Sequence, residues 1–295
     1  MMEKHTPVLL KEALAMLSPR RGGIYFDGTF GGGGYSRAIL NAVDCRVIAC
    51  DRDSVTEGMA MDLKRNYESN FESNFDFSLA KFSNICSIMK FYDVKKLDGV
   101  VLDLGVSNFQ LTDPARGFSF KLNGPLLMNM GLTDETALGV IRKYSEKDLA
   151  DLIYRYGEEH FSRRIAKGIK LNLRSIQNTE DLGNVIRSCV KRRGKIDPAT
   201  KTFQALRIFV NDELGELEKV LAESVGLLNH GGKIIVVSFH SLEDRIVKLF
   251  FRKLLHDENR AKFQLLNKKP ITPSPEEILS NPRSRSAKLR GISML

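Results

Sequence analysis

The sequence predicts an α/β fold in which a mostly parallel sheet carries helices on both faces and is interrupted by a helical insertion. Four short apolar runs lie in the first third of the chain, at residues 24–26, 46–50, 75–79 and 99–102, with helical stretches between them. Strands that are apolar along their whole length are typical of a parallel sheet covered on both faces. A fifth run of this kind, residues 232–239, follows only some 130 residues later.

The segment before that fifth run has the periodicity of helices. Its apolar residues recur three or four positions apart, at Leu149, Leu152, Ile153, Tyr156, Ile165 and Ile169. We therefore predict a helical insertion over residues 113–207, between residues 1–112 and 208–295, which together form one discontinuous domain. A length of 295 residues agrees with about two domains.

Two further elements complete the second part of the sheet domain. Residues 210–228 place Leu214, Leu217, Val220 and Leu221 on one helical face, which predicts a core helix. Residues 262–266 and 287–292 lie near the end of the chain, and we expect them to pair as a closing hairpin.

The charge of the chain is unevenly distributed. Its net charge is +9, yet residues 162–201 carry eleven basic and three acidic side chains, and residues 245–290 carry twelve and four. The rest of the chain is therefore acidic. Two basic stretches on an acidic protein favour a nucleic-acid partner, because phosphates attract clustered Lys and Arg; a solvated basic surface is the alternative.

Composition excludes several classes of protein. With 42% hydrophobic and 27% charged residues, the chain is ordinary for a globular protein and not for a disordered one. Its four cysteines form no C-x-x-C pair, which argues against a zinc or disulfide framework. The start lacks the pattern of a signal peptide, and no apolar run approaches the ~18–20 residues of a membrane span. We expect a soluble cytoplasmic protein.

A glycine-rich loop and an aspartate predict a nucleotide-like ligand. Residues 27–34 read DGTFGGGG directly after the first strand, and glycines there let the backbone approach a ligand closely. Asp51 ends the next strand, twenty residues after Gly31, where a carboxylate can accept hydrogen bonds from ribose hydroxyls. A solvated aspartate at a strand end is the alternative.

Two details favour S-adenosylmethionine over a dinucleotide as that ligand. A dinucleotide loop needs a third glycine for close helix–strand packing, and Ser36 stands there. Asp27 places a carboxylate at the loop, which suits an ammonium group and not a phosphate. An NAD-dependent oxidoreductase stays open as the less favoured alternative.

Two other strand ends carry candidate functional residues. Asp103 ends the fourth strand, at a position that borders both cofactor and substrate, although a paired structural aspartate would also fit. In residues 238–245, Ser241 and Asp244 have the spacing of a helix capping box. Capping does not explain His240, which is either a contact to a base edge or an ordinary histidine at a strand end.

Taken together, these segments resemble the cytosine-N4 methyltransferase family of small-subunit ribosomal RNA. The matching motifs run in order along nearly the whole chain, at residues 5–10, 27–36, 51–53, 102–110, 116–120, 156–159, 198–211, 238–248 and 281–286. The resemblance implies a class I methyltransferase (Rossmann-like) sheet interrupted by a helical domain that engages RNA.

The resemblance also implies a reaction, a cofactor and a partner. The reaction is N4-methylation of a cytosine in 16S ribosomal RNA near the decoding centre, with S-adenosylmethionine as donor and no metal. The partner is small-subunit ribosomal RNA within an assembled or late-assembly 30S particle. The family's cofactor contacts fall on Gly33, Gly34, Tyr35, Asp51, Phe82, Asp103 and Gln110.

The chain departs from the family pattern in three places. Tyr35 stands where a histidine is common, and Asn108-Phe109 replaces a Ser-Pro pair. Leu127 and Asn129 stand where the family typically carries Asp and Arg, which suggests a lost ion pair near the substrate pocket. A ribosome-assembly protein that keeps the fold without turnover is therefore a second hypothesis.

The sequence identifies no general base, so the catalytic residues stay unknown. An RNA base must be unstacked to reach such a site, and aromatic side chains commonly hold it there. Phe109, Phe118 and Phe120 are candidates for this stacking, with core positions as the alternative.

Overall fold

The computed structural model of the chain describes residues 7–69, 72–191, 196–256 and 262–295 and divides into two compact units. One unit comprises Met1–Gly105 and Leu214–Leu295, and the other is Val106–Glu213. The borders that the sequence predicts for the insertion are residues 113 and 207. His5, Thr6, Arg192 and Arg193, which belong to predicted motifs or basic stretches, lie outside the described residues.

The first unit contains a seven-stranded sheet and a separate two-stranded one. Its strands are β1 (Ile24–Asp27), β2 (Arg46–Asp51), β3 (Glu68–Ser69), β4 (Glu72–Ser73), β5 (Phe75–Leu79), β6 (Leu97–Asp103), β7 (Leu228–Ser238), β8 (Phe263–Leu265) and β9 (Lys288–Met294). The large sheet has the order β5-β2-β1-β6-β7-β9-β8. The first five strands in that order are parallel, and β9 pairs antiparallel with both β7 and β8. The predicted closing hairpin of β8 and β9 is thereby confirmed.

Helices surround this sheet and build the second unit. In chain order they are α1 (Leu10–Leu17), α2 (Gly34–Ala42), α3 (Thr56–Asn66), α4 (Ile85–Phe91), α5 (Asn108–Thr112), α6 (Ala137–Lys143), α7 (Glu146–Gly157), α8 (Ser162–Leu171), α9 (Thr179–Cys189), α10 (Ala199–Asn211), α11 (Glu213–Leu227), α12 (Ser241–His256) and α13 (Pro275–Ser280). Among the described residues, no helix is long and apolar enough to cross a membrane.

Both faces of the large sheet are buried. Because side chains alternate along a strand, Val100 and Ile234 pack into one core while Val101 and Ile235 pack into another. The first core also takes in apolar residues of α4, α11 and α12, and the second takes in those of α1, α2 and α3. The predicted fold class, an α/β fold with a mostly parallel sheet and helices on both faces, is confirmed.

The second unit has a helical core of its own. The periodic residues of the sequence lie inside it: Leu149, Leu152, Ile153, Ile165 and Ile169 are all buried, and Tyr156 packs against them. The unit begins with α5, whose N-terminus is capped by a reciprocal pair of hydrogen bonds between Ser107 and Gln110. Val106 and Leu111 pack against the core of this unit, which explains why the unit starts before residue 113.

The predicted core helix over residues 210–228 is wrong at its start. Asp212 has φ +49, a left-handed conformation that ends α10 at Asn211, and α11 begins at Glu213. Val210 therefore belongs to the helical core of the second unit. Of the predicted apolar face of α11, Leu217, Val220 and Leu221 are buried, whereas Leu214 is only half-buried.

Candidate active site

Three strands that lie side by side in the first unit end in aspartates. They are β2, β1 and β6, which end at Asp51, Asp27 and Asp103. Since parallel strands present their carboxyl ends at one edge of a sheet, the three carboxyl groups gather there, where ligands of open α/β sheets bind.

Asp27 holds the glycine-rich loop to the start of α2. Its carboxyl group is fully buried, and one oxygen accepts hydrogen bonds from the Ser36 hydroxyl at 2.6 Å and the Ser36 N–H at 3.1 Å. The other oxygen accepts from the Thr29 N–H at 3.1 Å. Burial raises the pKa of Asp27 to about 6, although these hydrogen bonds act against the shift. Both oxygens thus serve the loop, so the role of Asp27 is to shape the site.

The glycines of the loop have distinct roles. Gly31 and Gly33 have φ values of +52 and +74, which L side chains rarely adopt, and Gly33 forms the N-cap of α2. A side chain on Gly33 would also come within 2.9 Å of the Phe30 ring, and one on Gly34 would overlap Pro7. A side chain on Gly32 would meet no atom within 4 Å. Gly33 and Gly34 are therefore required for packing within the protein, while the loop at Gly32 borders open space.

Asp51 is joined to this loop directly. Its carboxylate accepts hydrogen bonds from the Gly31 N–H at 2.8 Å and from the Asp53 N–H at 3.0 Å. Gly31 and Asp51, which are twenty residues apart in the sequence, are thus in direct contact in the fold. Burial raises the pKa of Asp51, while backbone hydrogen bonds lower it. Because a carboxylate has about four acceptor positions, Asp51 keeps capacity for a further donor.

Asp103 offers an oxygen that the fold itself does not use. Its N–H donates to the Thr29 hydroxyl at 2.7 Å, which ties the end of β6 to the loop. The side-chain Oδ1 is buried and has no hydrogen-bond partner among the described residues. Burial raises the pKa of Asp103 well above its usual range, and the charges of Asp27, Glu243 and Glu277 raise it further. A buried acceptor without a partner is costly, and a cation or an N–H donor would relieve that cost.

The other predicted cofactor residues differ in what they present. Phe82 opens a single 3-10 turn after β5, and its Cβ would lie 3.1 Å from a side chain on Gly28. The Tyr35 ring is buried and its hydroxyl donates to the Val8 carbonyl at 2.6 Å, so its side chain is committed to the core. Gln110 is buried in the second unit, where it caps α5.

Two glutamates near this edge were not identified from the sequence. Glu277 in α13 accepts a hydrogen bond from the Leu9 N–H at 2.8 Å, across 268 positions of the chain. Glu243 in α12 accepts from the Phe239 N–H at 2.7 Å and the His240 N–H at 3.2 Å. Glu243 lies within a matched motif and Glu277 shortly precedes another, but neither has a local pattern that singles it out.

The capping box predicted for Ser241 and Asp244 is not formed by Asp244. Its carboxylate instead contacts Arg290 at 2.6 Å and Lys288 at 3.0 Å, both on β9. Burial alone would raise the pKa of Asp244, but the hydrogen bonds from these two cations bring it below its usual value. The side chain that receives the N–H groups before α12 is Glu243, and its Oε1 lies 3.1 Å from Nε2 of His240. Nδ1 of His240 accepts from the Glu243 N–H at 3.4 Å, while its Nε2 is buried and has no hydrogen-bond partner among the described residues.

The segment around Leu127 and Asn129 is fastened by a side chain of the second unit. Asn211, which is 1% exposed, donates to the Met128 carbonyl at 2.7 Å and accepts from the Met130 N–H at 2.8 Å. It also donates to the Arg207 carbonyl at 2.8 Å. Leu127 and Asn129 themselves are half-buried.

A model of the MraW methylase family matches residues 2–295 of the chain. This chain belongs to the MraW methylase family. It is 52% identical over 304 residues to a protein of Ehrlichia ruminantium (strain Gardel) named ribosomal RNA small subunit methyltransferase H, with 99% of each chain covered. Proteins of the same name from Wolbachia sp. subsp. Drosophila simulans (strain wRi) and Anaplasma phagocytophilum (strain HZ) are 49% and 48% identical, again over 99% of each chain.

Membership of the MraW methylase family confirms the resemblance found in the sequence. It makes the chain a methyltransferase, and it decides against the NAD-dependent oxidoreductase. The acidic ends of β1 and β6 agree with this, because a carboxylate beside the glycine-rich loop disfavours a phosphate, whereas Asp51 would suit the ribose of either ligand.

Proposed function

We propose that this methyltransferase transfers a methyl group from S-adenosylmethionine to the N4 amine of a cytosine in 16S ribosomal RNA, near the decoding centre. The observation that carries the proposal is the buried Oδ1 of Asp103, which lacks a partner among the described residues at an edge where three carboxyl groups meet. Such an edge suits a ligand that brings a positive charge and N–H donors but no phosphate.

The residues present fit this cofactor. Asp51, with acceptor capacity to spare, would accept hydrogen bonds from ribose hydroxyls. Asp103 would accept from an ammonium or amine group, and the loop would approach the cofactor at Gly32, which borders open space, while Gly33 and Gly34 hold the loop in shape. Tyr35 and Gln110, which the resemblance places among the contacts, would contribute less through their side chains than through their positions. S-adenosylmethionine, when bound, supplies an electrophilic methyl group on its sulfonium.

The chain itself contributes by positioning the cofactor and the substrate and by excluding water from the site. Asp27 fixes the loop, Thr29 joins the loop to β6, and both act before any substrate arrives. The N4 amine of cytosine is a poor nucleophile because its lone pair is delocalised into the ring, so an acceptor near it would favour a geometry that frees the pair. Asp103 is a candidate for this acceptor, because its Oδ1 accepts no hydrogen bond from the described residues.

The names of the relatives support RNA as the substrate, and the presence of two compact units supports separate sites for catalysis and for RNA recognition. We infer that the sheet unit is the methyltransferase domain and that the helical unit recognises RNA, within an assembled or late-assembly small subunit in the cytoplasm. Three of the basic side chains of α8, Arg163, Arg164 and Lys167, are exposed, as such recognition requires.

Calorimetry with S-adenosylmethionine tests the cofactor site. Asp51→Ala should weaken binding by ~1.5–3 kcal/mol, the scale of hydrogen bonds to a charged group, and Asp103→Asn should weaken it because the negative charge is removed. Asp62→Asn is the matched control, since Asp62 lies on the exposed side of α3 with its side chain 72% exposed. Unchanged affinity in both site variants would place the cofactor elsewhere.

Methyl transfer tests the substrate. Undermethylated small subunits and their naked RNA are incubated with enzyme and radiolabelled cofactor, and the modified nucleoside is identified after digestion. N4-methylcytidine in 16S ribosomal RNA is the expected product. Label in another base, or no label in either substrate, would contradict the proposal; absence of turnover with intact cofactor binding would favour the assembly-protein hypothesis.

A further inference from the structure

An exposed surface at the corner between α7 and α8 combines aromatic rings with positive charge. Tyr154 is 57% exposed and Phe161 is 37% exposed, and His160 between them is also exposed. The rings of Tyr154 and His160 stand edge to face with their centroids 6.5 Å apart. We call this surface the corner patch and define it by Tyr154, Arg155, His160, Phe161, Arg163 and Arg164.

The corner patch carries three arginines that form no ion pair among the described residues, and of the two glutamates within residues 154–164, Glu159 is buried and Glu158 is half-buried. Residues 160–171 contain four Lys and Arg side chains and no acidic one. Arg155, Arg163 and Arg164 are exposed, and none of the hydrogen bonds and ion pairs among the described residues involves their side chains. Arg163 and Arg164 also stand in the first turn of α8, where the positive end of the helix dipole disfavours cations. The two arginines do not stabilise the helix at this position. We therefore infer that their charge serves to bind an external anion.

The backbone beneath the patch is held firmly. Gly157 lies so close to α10 that a side chain on it would come within 2.5 Å of the Lys201 carbonyl. The Lys201 ammonium donates to the Glu158 carbonyl at 2.8 Å, and the Glu159 carboxylate accepts from the Phe161 N–H at 2.8 Å. The rings are thus presented from a fixed turn, which lowers the ordering cost of binding a partner.

We propose that the corner patch is a stacking platform for unpaired bases of single-stranded RNA, with Arg163 and Arg164 at the neighbouring phosphates. It rests on the proposed function in one respect, that the partner is RNA. Exposed rings beside cations recognise unpaired bases, whereas the bases of an RNA duplex are stacked inside it and inaccessible. Two aromatic candidates from the sequence serve this role less well, because Phe118 is 7% exposed and Phe120 packs on Phe203; the third, Phe109, is half-buried.

The assay is fluorescence titration of the full chain with a single-stranded RNA oligonucleotide that carries 2-aminopurine, whose emission falls on stacking. Tyr154→Leu should lower affinity roughly ten-fold or more and reduce the quenching, because the ring is removed while apolar bulk is kept. Tyr154→Phe should bind within about two-fold of wild type, since the ring is kept. Phe91→Leu is the matched control: Phe91 is 79% exposed but lies on α4 of the sheet unit.

Salt dependence separates the rings from the cations. The Tyr154→Leu variant should keep the wild-type slope of log affinity against log salt, because the uncharged tyrosine neutralises no phosphate and releases no counterion. Arg163→Gln with Arg164→Gln should flatten that slope by about 0.7 for each phosphate of a single strand that the two side chains no longer neutralise. These arginines are exposed, so their replacement does not threaten the fold.

Several results would overturn the platform. They are wild-type affinity and quenching in Tyr154→Leu, an equal loss of affinity in Phe91→Leu, preference of the wild type for duplex RNA, or no RNA binding by the wild type at all. A loss of affinity seen only with protein-containing subunits and not with RNA alone would mean that the patch binds protein. Methyl transfer by the wild type is measured separately. If the wild type transfers methyl groups but its RNA binding does not depend on Tyr154, only the platform is refuted. If RNA binding depends on Tyr154 but the wild type transfers no methyl group, only the proposed function is refuted.

Discussion

The buried carboxyl group of Asp27 should make the stability of the sheet unit depend on pH. Its pKa is about 6 in the fold against 3.8 for an unperturbed aspartate. A shift of this size corresponds to about 3 kcal/mol, at about 1.4 kcal/mol per pH unit. Because the folded pKa lies above the unfolded one, the contribution is fully present below about pH 4 and is lost as pH rises through 6.

The Asp27→Asn variant isolates this contribution. The amide keeps the shape of the side chain but does not ionise, so its stability lacks the part of the pH dependence that Asp27 contributes. The difference in unfolding free energy between wild type and variant should change by about 2 kcal/mol between about pH 4.5 and pH 7.5, in favour of the variant at the higher pH. The variant should also lose ~1–3 kcal/mol of unfolding free energy at every pH. The amide has only one acceptor oxygen, whereas Thr29 and Ser36 donate to both oxygens of the carboxyl group.

Urea unfolding followed by far-UV circular dichroism at constant ionic strength measures this difference. The chain has no tryptophan, so indole fluorescence offers no signal. Ser36→Ala provides a second arm: the Ser36 hydroxyl lowers the pKa of Asp27, and removing it should move the loss of stability to higher pH. A difference between wild type and Asp27→Asn that stays constant with pH would refute the reasoning, as would a shift to lower pH in Ser36→Ala.

Three further substitutions have defined outcomes. Gly33→Val should abolish cofactor binding in calorimetry and lower the melting temperature, because the position needs φ +74 and faces the Phe30 ring at 2.9 Å; normal binding would show that the loop tolerates a side chain. Asn211→Leu should destabilise the helical unit by ~2–4 kcal/mol in urea unfolding, because buried backbone groups lose their partners; wild-type stability would show that those groups find other partners. Leu127→Asp and Asn129→Arg, singly and together, should each lower single-turnover methylation by burying a charge; a rate that rises only in the double variant would instead mean that the family's ion pair has decayed here.

The sequence by itself determined the strands, the loop and the acidic strand ends. Continuous apolar runs fix strands that are buried on both faces, and the chain direction places Asp27, Asp51 and Asp103 at their carboxyl ends. The helical periodicity after residue 113 was equally readable, since its signal is carried by neighbours three and four positions apart. The corner patch was not readable in this way, because exposure of Tyr154 and Phe161 depends on which helix faces are covered.

Only the tertiary structure decided how these residues are used. Asp27 is occupied by Ser36 and Thr29, whereas Asp103 keeps an oxygen free, although both are aspartates at strand ends. Glu277 reaches Leu9 across 268 positions. Periodicity and turn chemistry arise from local sterics and hydrogen bonding, which short stretches of sequence encode. Which acceptor meets which donor depends on strand order and helix packing, and those are set by the burial of the whole core.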